Sequence, residues 1–405
     1  MAAGLDGYRD ILLKRGNRFM GKRILVAASN SSDTDRERAD FVCTGKNDER
    51  ILNQGIASLV HGGTIQLLDG DYFIDSFSGE GHSAVYFGYN DGLARVVNIV
   101  GDTENKSYNT RFGVTVHVTE TAFRAMEPGA IYRVFYGASA KPESPGDFYT
   151  YTHVNNVNFE NFYLYLHDAS RPVVGIDCIN FGSSFIRQVG IYTENYFQDR
   201  FLHLKPATPC KGSIGVNSCP GSNDEMARVG YDTVNVGGLY IGFQLNGIDH
   251  LIMKTCTAAR CCYGYVFSDS AKTITMLNCA DEGNTHMPLF RGKGQLTNID
   301  YNIERFNADF IPDDPEGNPE ALAVENPPGG WHGFLSYTLQ GEAFGVNHFW
   351  KEGNGVNFRT INLRHDRNSR PEHPEYLESY FDTSSNRVLF WNGESWVDAL
   401  GNVYS

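Results

Sequence analysis

The side chains of this sequence that could do chemistry are acids spaced at a repeating interval. Asp281 and Glu304 stand 23 residues apart, Asp232 and Lys254 stand 22 apart, and Asp300 follows Lys254 by 46. Such intervals match one or two coils of a repeating β architecture, whose neighbouring strands lie about 4.8 Å apart. Asp281 and Glu304 are then expected side by side, near the roughly 5–5.5 Å at which one carboxyl group serves as acid and another as nucleophile on a glycosidic bond. Asp232, Lys254 and Asp300 would make a mixed acid–base strip on an outward face, interrupted by Leu277. Asp224 and Glu225 form a further candidate pair in a loop-like stretch, and His250 beside Asp249 is a candidate general base. Each competes with an ordinary role as a solvated turn residue on an acidic protein. There is no phosphate-binding Gly-Lys-Ser/Thr loop, no paired-histidine metalloprotease helix and no Gly-Xaa-Ser-Xaa-Gly elbow. No pattern asks for a cofactor or a metal ion.

The elements that must position these acids are written as a repeat from Val229 to Glu304. Val229, Tyr231 and Val234 recur after 22 positions as Leu251, Met253 and Cys256, then after 23 more as Ile274, Met276 and Cys279, with Ile299 another 23 beyond Met276. A second short strand keeps the beat as Gly242-Phe243-Gln244-Leu245, Gly264-Tyr265-Val266-Phe267 and Met287-Pro288-Leu289-Phe290. Alternation within strands, turn residues between them and this period predict an all-β fold, a right-handed parallel β-helix in which Met253, Met276 and Ile299 stack on adjacent coils. An antiparallel sandwich with evenly spaced strands is the competing architecture.

Composition agrees with a solenoid. Gly supplies 43 of 405 residues and aromatics 13%, which favours strands and tight turns over helices. A net charge of −14 disfavours nucleic acid as a partner. No stretch approaches the roughly 18 apolar residues of a membrane-inserted helix. The first residues, Met1 to Asp6, lack the apolar core of a secretion signal, so folding in a cytoplasm is expected. Cys256 and Cys279 fall on the repeated inward position, where a thiol acts as a small hydrophobe, and Cys261-Cys262 are adjacent rather than spaced as metal ligands. Cys210 and Cys219 bracket a Gly/Ser/Pro loop, where a disulfide is open if geometry and an oxidising medium allow one.

Four segments follow from the patterning. Residues 1–38 read as a modestly basic arm carrying Arg9, Lys14, Arg15, Arg18, Lys22 and Arg23. Residues 39–310 read as the β-helix. Its first part holds a helix from Arg50 to Val60, with Ile51, Leu52, Ile56, Leu59 and Val60 on one face. Such a helix can cover a terminal coil that would otherwise offer unpaired strand edges. Between Leu204 and Arg228, prolines and glycines predict an insertion too polar for core. Residues 311–372 read as a β-rich extension, and 373–405 as a small C-terminal β module turning at Asn392-Gly393. Phe390, Trp391 and Trp396 make that module too apolar for a lone hairpin.

Asp40-Phe41-Val42-Cys43, Asp48-Glu49-Arg50, the amphipathic helix, Gly62-Gly63-Thr64-Ile65 and Asp69-Gly70-Asp71-Tyr72 occur in an order that resembles the opening of pectate-lyase-like β-helix proteins, including many phage and prophage tail spikes. Asn368-Ser369-Arg370-Pro371, Pro374, Tyr380-Phe381-Asp382-Thr383, Arg387, Trp391-Asn392-Gly393, Trp396-Val397-Asp398-Ala399 and Gly401 resemble a short module recurrent at the ends of phage tail proteins. The resemblance implies a tail-spike-like protein, in a virion or in a cytoplasm before assembly. It would bind a cell-surface polysaccharide, with hydrolysis and lyase elimination both open as chemistries. A non-enzymatic receptor-binding or structural tail protein and a bacterial carbohydrate-active enzyme are the alternatives. A homotrimer is expected, because three chains side by side would cover the C-terminal aromatics and because tail spikes share that arity.

Overall fold

The computed structural model describes residues 21–87, 95–102, 113–138, 156–168, 170–179, 184–197, 207–218, 226–246, 248–268, 271–286, 288–291, 294–304, 312, 314, 324–325, 331–339, 342–344, 346–349, 358–365, 379–382 and 387–404. Within them, parallel strands pair in the order of the chain. Lys22–Ala27, Gly63–Leu67, Val96–Gly101, Asn156–Leu166, Phe185–Thr193, Met226–Asp232, Ile248–Lys254, Ala271–Glu282, Gly294–Glu304 and Trp331–Leu339 form the spine of a 16-stranded sheet. An 8-stranded sheet runs from Ser83–Tyr86 through Tyr132–Ala138, Val173–Ile179, Ile214–Ser218, Ile241–Asn246, Tyr263–Ser268 and Leu289–Arg291 to Val324–Glu325. The chain alternates between the two sheets, so each pairing joins residues one coil apart. The result is an all-β, parallel-stranded solenoid, and the parallel pairing excludes the antiparallel sandwich.

The register follows the repeat read from sequence. Tyr231 pairs with Met253, Met253 with Met276 and Met276 with Ile299. In the second sheet Phe243 pairs with Tyr265, and Leu245 with Phe267. Because strand residues alternate faces, the partners of inward residues are inward too, and one apolar core runs the length of the coils. Cys256, Cys261, Cys262 and Cys279 are buried within it or beside it. Burial pushes the Cys256 thiol up, which keeps it protonated and unreactive.

Every coil from 156 to 282 carries a left-handed residue at the same bend. Asn161, Gln188, Thr233, Thr255 and Asn278 have φ of 59°, 52°, 57°, 52° and 51°. The pairings on either side place them one above another. Asn tolerates this region of backbone space, whereas β-branched Thr does so only under strain. The bend divides each strand, so that residues before it line one outward face and residues after it line another.

The coils extend beyond both ends of 39–310, since Lys22–Ala27 and Trp331–Leu339 belong to the long sheet. The stretch read as a polar insertion also contributes a coil strand, Ile214–Ser218, with Val216 fully buried. Gly215 concealed it: a side chain there would meet Val236 at 2.3 Å, so the apolar alternation is cut short by a close approach. The helix is Asp48–Ala57, and its side chains bond the edges of two strands. Phe73 N–H donates to Asp48, Asp75 N–H to Glu49 and Tyr86 N–H to Asn53, whose amide donates to the Ala84 carbonyl at 2.7 Å. At the other end, Val346–Phe349, Phe358–His365, Ser379–Asp382, Arg387–Trp391, Trp396–Val397 and Val403–Tyr404 form a separate 6-stranded sheet. Trp396 is buried there against Leu389, Trp391 and Tyr404, so the module covers part of its own aromatic surface.

Candidate functional site

A groove of about 660 Å³ lies on the outward face before the bend, across strands from Val96–Gly101 to Ile248–Lys254. Two rungs of side chains line it. One runs Asn98, Asn158, Phe185, Gly230, Ile252 in paired register. Asn158 donates from its amide to Asn98 at 2.8 Å and accepts the Phe185 N–H at 2.8 Å, so each side chain fixes the next. Phe185 and Ile252 are each 56% exposed, which is unusual for apolar residues on a rigid sheet. Gly230 makes room between them, because a side chain there would meet the Phe185 ring at 2.7 Å.

The second rung is charged. Glu160 pairs with Arg187, Arg187 with Asp232 and Asp232 with Lys254, giving alternating signs along the solenoid. The Arg187 guanidinium forms an ion pair with Glu160, while Thr233 donates its hydroxyl to Asp232 at 3.0 Å. Glu160 and Asp232 are two strand spacings apart, roughly 9.6 Å at the backbone. The arrangement offers a ring face, two cations and two carboxylates to one extended ligand.

Of the residues singled out from sequence, Asp232 and Lys254 are brought together as expected, and His250 lines the same groove with a left-handed φ of 62°. Asp281 and Glu304 are not brought together. A register shift between Met276 and Cys279 pairs Asp281 with Ile303 and puts Glu304 opposite Glu282. Asp281 is buried inside the coil, where Asn284 donates to it at 2.6 Å while also bonding the Ala258 carbonyl and the Cys261 N–H. Asp300 pairs with Ser336 on one side and stands at the same shift on the other. Lys254 is followed on its rung by Leu277, 41% exposed. Asp224, Glu225 and Cys219 lie outside the described residues, as does the side chain of Asp249.

Glu160, Arg187 and Phe185 were missed because they stand on coils with longer turns. Glu160 and Arg187 are 27 residues apart, so a 22- to 23-residue beat does not join them. The available signal was composition: Phe185 and Arg187 alternate with Ile186 and Val189 in a strand whose other face is apolar. Among the described residues, no group of three or more His, Cys, Asp or Glu is placed to hold a metal ion, and no helix is long and apolar enough to cross a membrane.

Fold and groove together define the class as a parallel β-solenoid with an exposed groove on one flank. No known protein family matches the chain, and no curated protein does. Among solved structures it is similar to ORF18 of Geobacillus virus E2, at 12% identity and a TM-score of 0.36 over 98% of this chain and 88% of that one. It is also similar to tailspike protein 3 of bacteriophage CBA120, at 10% identity and a TM-score of 0.23 over 88% of this chain and 67% of that one.

Proposed function

We propose that the chain is a tail-spike-like protein of a phage or prophage, a right-handed β-helix that binds a cell-surface polysaccharide in the groove. The observation that carries the proposal is Phe185, an aromatic ring held open to solvent on a rigid sheet beside Arg187, Asp232 and Lys254. Aromatic faces stack on sugar rings, and a charged rung orients the polar substituents. The order of residues in the opening stretch and in the C-terminal module supports a tail protein. Parallel crossovers favour the right-handed coil.

Cleavage is the second reading, favoured by the spacing of Glu160 and Asp232. Two strand spacings, roughly 9.6 Å between the backbones, are close to the 6.5–9.5 Å between carboxyl groups that admits a water between acid and base. A screen of capsular and lipopolysaccharide glycans, read for both binding and new reducing ends, separates the readings. Phe185→Ala is expected to weaken binding about tenfold, the loss of one stacked ring. If Glu160 and Asp232 are catalytic, Asp232→Asn abolishes new reducing ends while binding persists. Binding with no product from the wild type leaves a receptor-binding protein. No glycan bound, or full binding by Phe185→Ala, overturns the assignment of the groove.

A further inference from the structure

The outward face beyond the left-handed bend carries a second set of side chains that the groove does not use. Phe73, His117, Tyr165 and Tyr192 pair in register on four neighbouring strands. Phe73 stacks on His117 with centroids 5.2 Å apart, Tyr165 meets His117 edge-on at 5.8 Å, and Phe197 packs 5.5 Å from Tyr165. Tyr165 and Phe197 are half-buried, with part of each ring open to solvent. Along the rim, Nε2 of His117 lies 3.0 Å from Asp71 Oδ1, and Nδ1 of His117 lies 3.2 Å from Nε2 of His167. Asp71 is itself fixed, because Asn30 donates its amide to Oδ2 at 2.8 Å and accepts the Asp71 N–H at 2.8 Å.

This chain of contacts decides where the protons sit. A carboxylate only accepts, so Nε2 of His117 holds the proton and Nδ1 of His117 accepts. Nε2 of His167 must then be the donor, which leaves Nδ1 of a neutral His167 as a bare acceptor. Among the described residues nothing bonds that atom. Asp71, Glu120 and Glu194 add carboxylates on the same side. The rim is therefore rich in acceptors, beside a row of rings.

We propose that this face is a second carbohydrate site, one that takes an uncharged, hydroxyl-rich saccharide with a sugar ring on Tyr165 and Phe197 and a hydroxyl donating to Nδ1 of His167. Sugar hydroxyls supply the donors an acceptor-rich rim lacks, and the apolar faces of the ring match the aromatic row. Uronic acids and sulfated sugars are repelled by Asp71 and Glu194, while the Glu120 charge is paired with Arg124. The site is independent of the groove, whose Arg187 and Lys254 suit a different ligand. Protonation closes it, since a charged imidazole donates from both nitrogens. Burial, then the neighbouring His117, holds the His167 imidazole below the usual histidine value, while Glu194 and Glu120 pull the other way. The acceptor is thus present at neutral pH and lost on acidification.

The test is calorimetric titration of the full chain with neutral glucose and galactose hexamers and with a galacturonate hexamer, at millimolar concentration and neutral pH. A neutral hexamer should bind, and the galacturonate hexamer should bind about tenfold more weakly or not at all. His167→Phe and Tyr165→Ala should each weaken binding about tenfold, with Phe185→Ala in the groove unaffected. His167→Gln, whose amide oxygen restores an acceptor, should recover part of the loss. Asp71→Asn should shift the pH at which binding is half lost, as expected of a residue that positions His117. Melting temperatures near that of the wild type show that the variants fold. Preference for galacturonate, equal binding by the His167→Phe and Tyr165→Ala variants, or no heat from any neutral hexamer overturns the proposal.

Discussion

Arg187 has a carboxylate on each side along the groove, Glu160 in direct ion pair and Asp232 one strand further on. Its guanidinium is 54% exposed, so the pair is worth little to stability. Backbone strain at single residues has the opposite character, because it costs stability and gains no contact with ligand. Thr255 and Thr233 hold φ of 52° and 57°, a region that disfavours a β-branched side chain. Thr255→Asn is expected to stabilise the solenoid by about 1 kcal/mol, since Asn enters the left-handed region more readily. Thermal or urea unfolding checks it, and a destabilised variant would show that the threonine methyl packs better than the strain costs.

At the scale of elements, the C-terminal module turns on one carboxylate. Asp398 accepts bonds from the Asn402 side chain, the Asn402 and Leu400 N–H groups, the Tyr404 hydroxyl and the Arg387 guanidinium. Those donors, the Asn402 side chain foremost, hold its carboxyl well below the usual carboxylate range. A depressed folded pKa contributes stability above the unfolded value, near pH 4, and that contribution is lost as pH falls through the depressed value. The module should therefore hold at neutral pH and loosen in strong acid. Asp398→Ala should reproduce the loosening at neutral pH, read as a red shift in tryptophan fluorescence as Trp396 loses its cover. An unshifted spectrum would mean that the apolar contacts of Leu389 and Trp396 suffice.

At the scale of the whole molecule we propose a homotrimer, held by other surfaces than the C-terminal aromatics. Trp396 is 5% exposed and packs on Trp391 within one chain, so that aromatic does not require a partner. Among the described residues of the module, Val388, Leu400 and Val403 are the large apolar side chains left exposed, at 47%, 85% and 65%. Those three side chains, with the flanks of an elongated solenoid, are what neighbouring chains would cover. Light scattering of the intact chain at micromolar concentration should give three times the chain mass, and Leu400→Asp with Val403→Asp should lower it. A monomer mass for the intact chain would end the trimer.

The sequence by itself determined the coils between Val229 and Glu304. There the inward positions recur at a nearly constant interval, and a parallel ladder needs little more than that constancy to set its register. Asp232 and Lys254 could be placed together for the same reason. A single register shift after Met276 was enough to separate Asp281 from Glu304, because moving a strand by one residue turns its side chains to the other face. Only the tertiary structure decided the rest of the groove. Glu160, Arg187 and Asp232 are joined across turns of unequal length, and a coil tolerates such insertions at small entropic cost while keeping its strands in line. The left-handed bend that divides the two outward faces was equally hidden, since Asn, Gln and Thr all occupy it and none announces the conformation. His117 and His167 lie 50 residues apart, and nothing in their local sequence joins them. Stacking of coils does, by setting residues remote in the chain one strand spacing from each other.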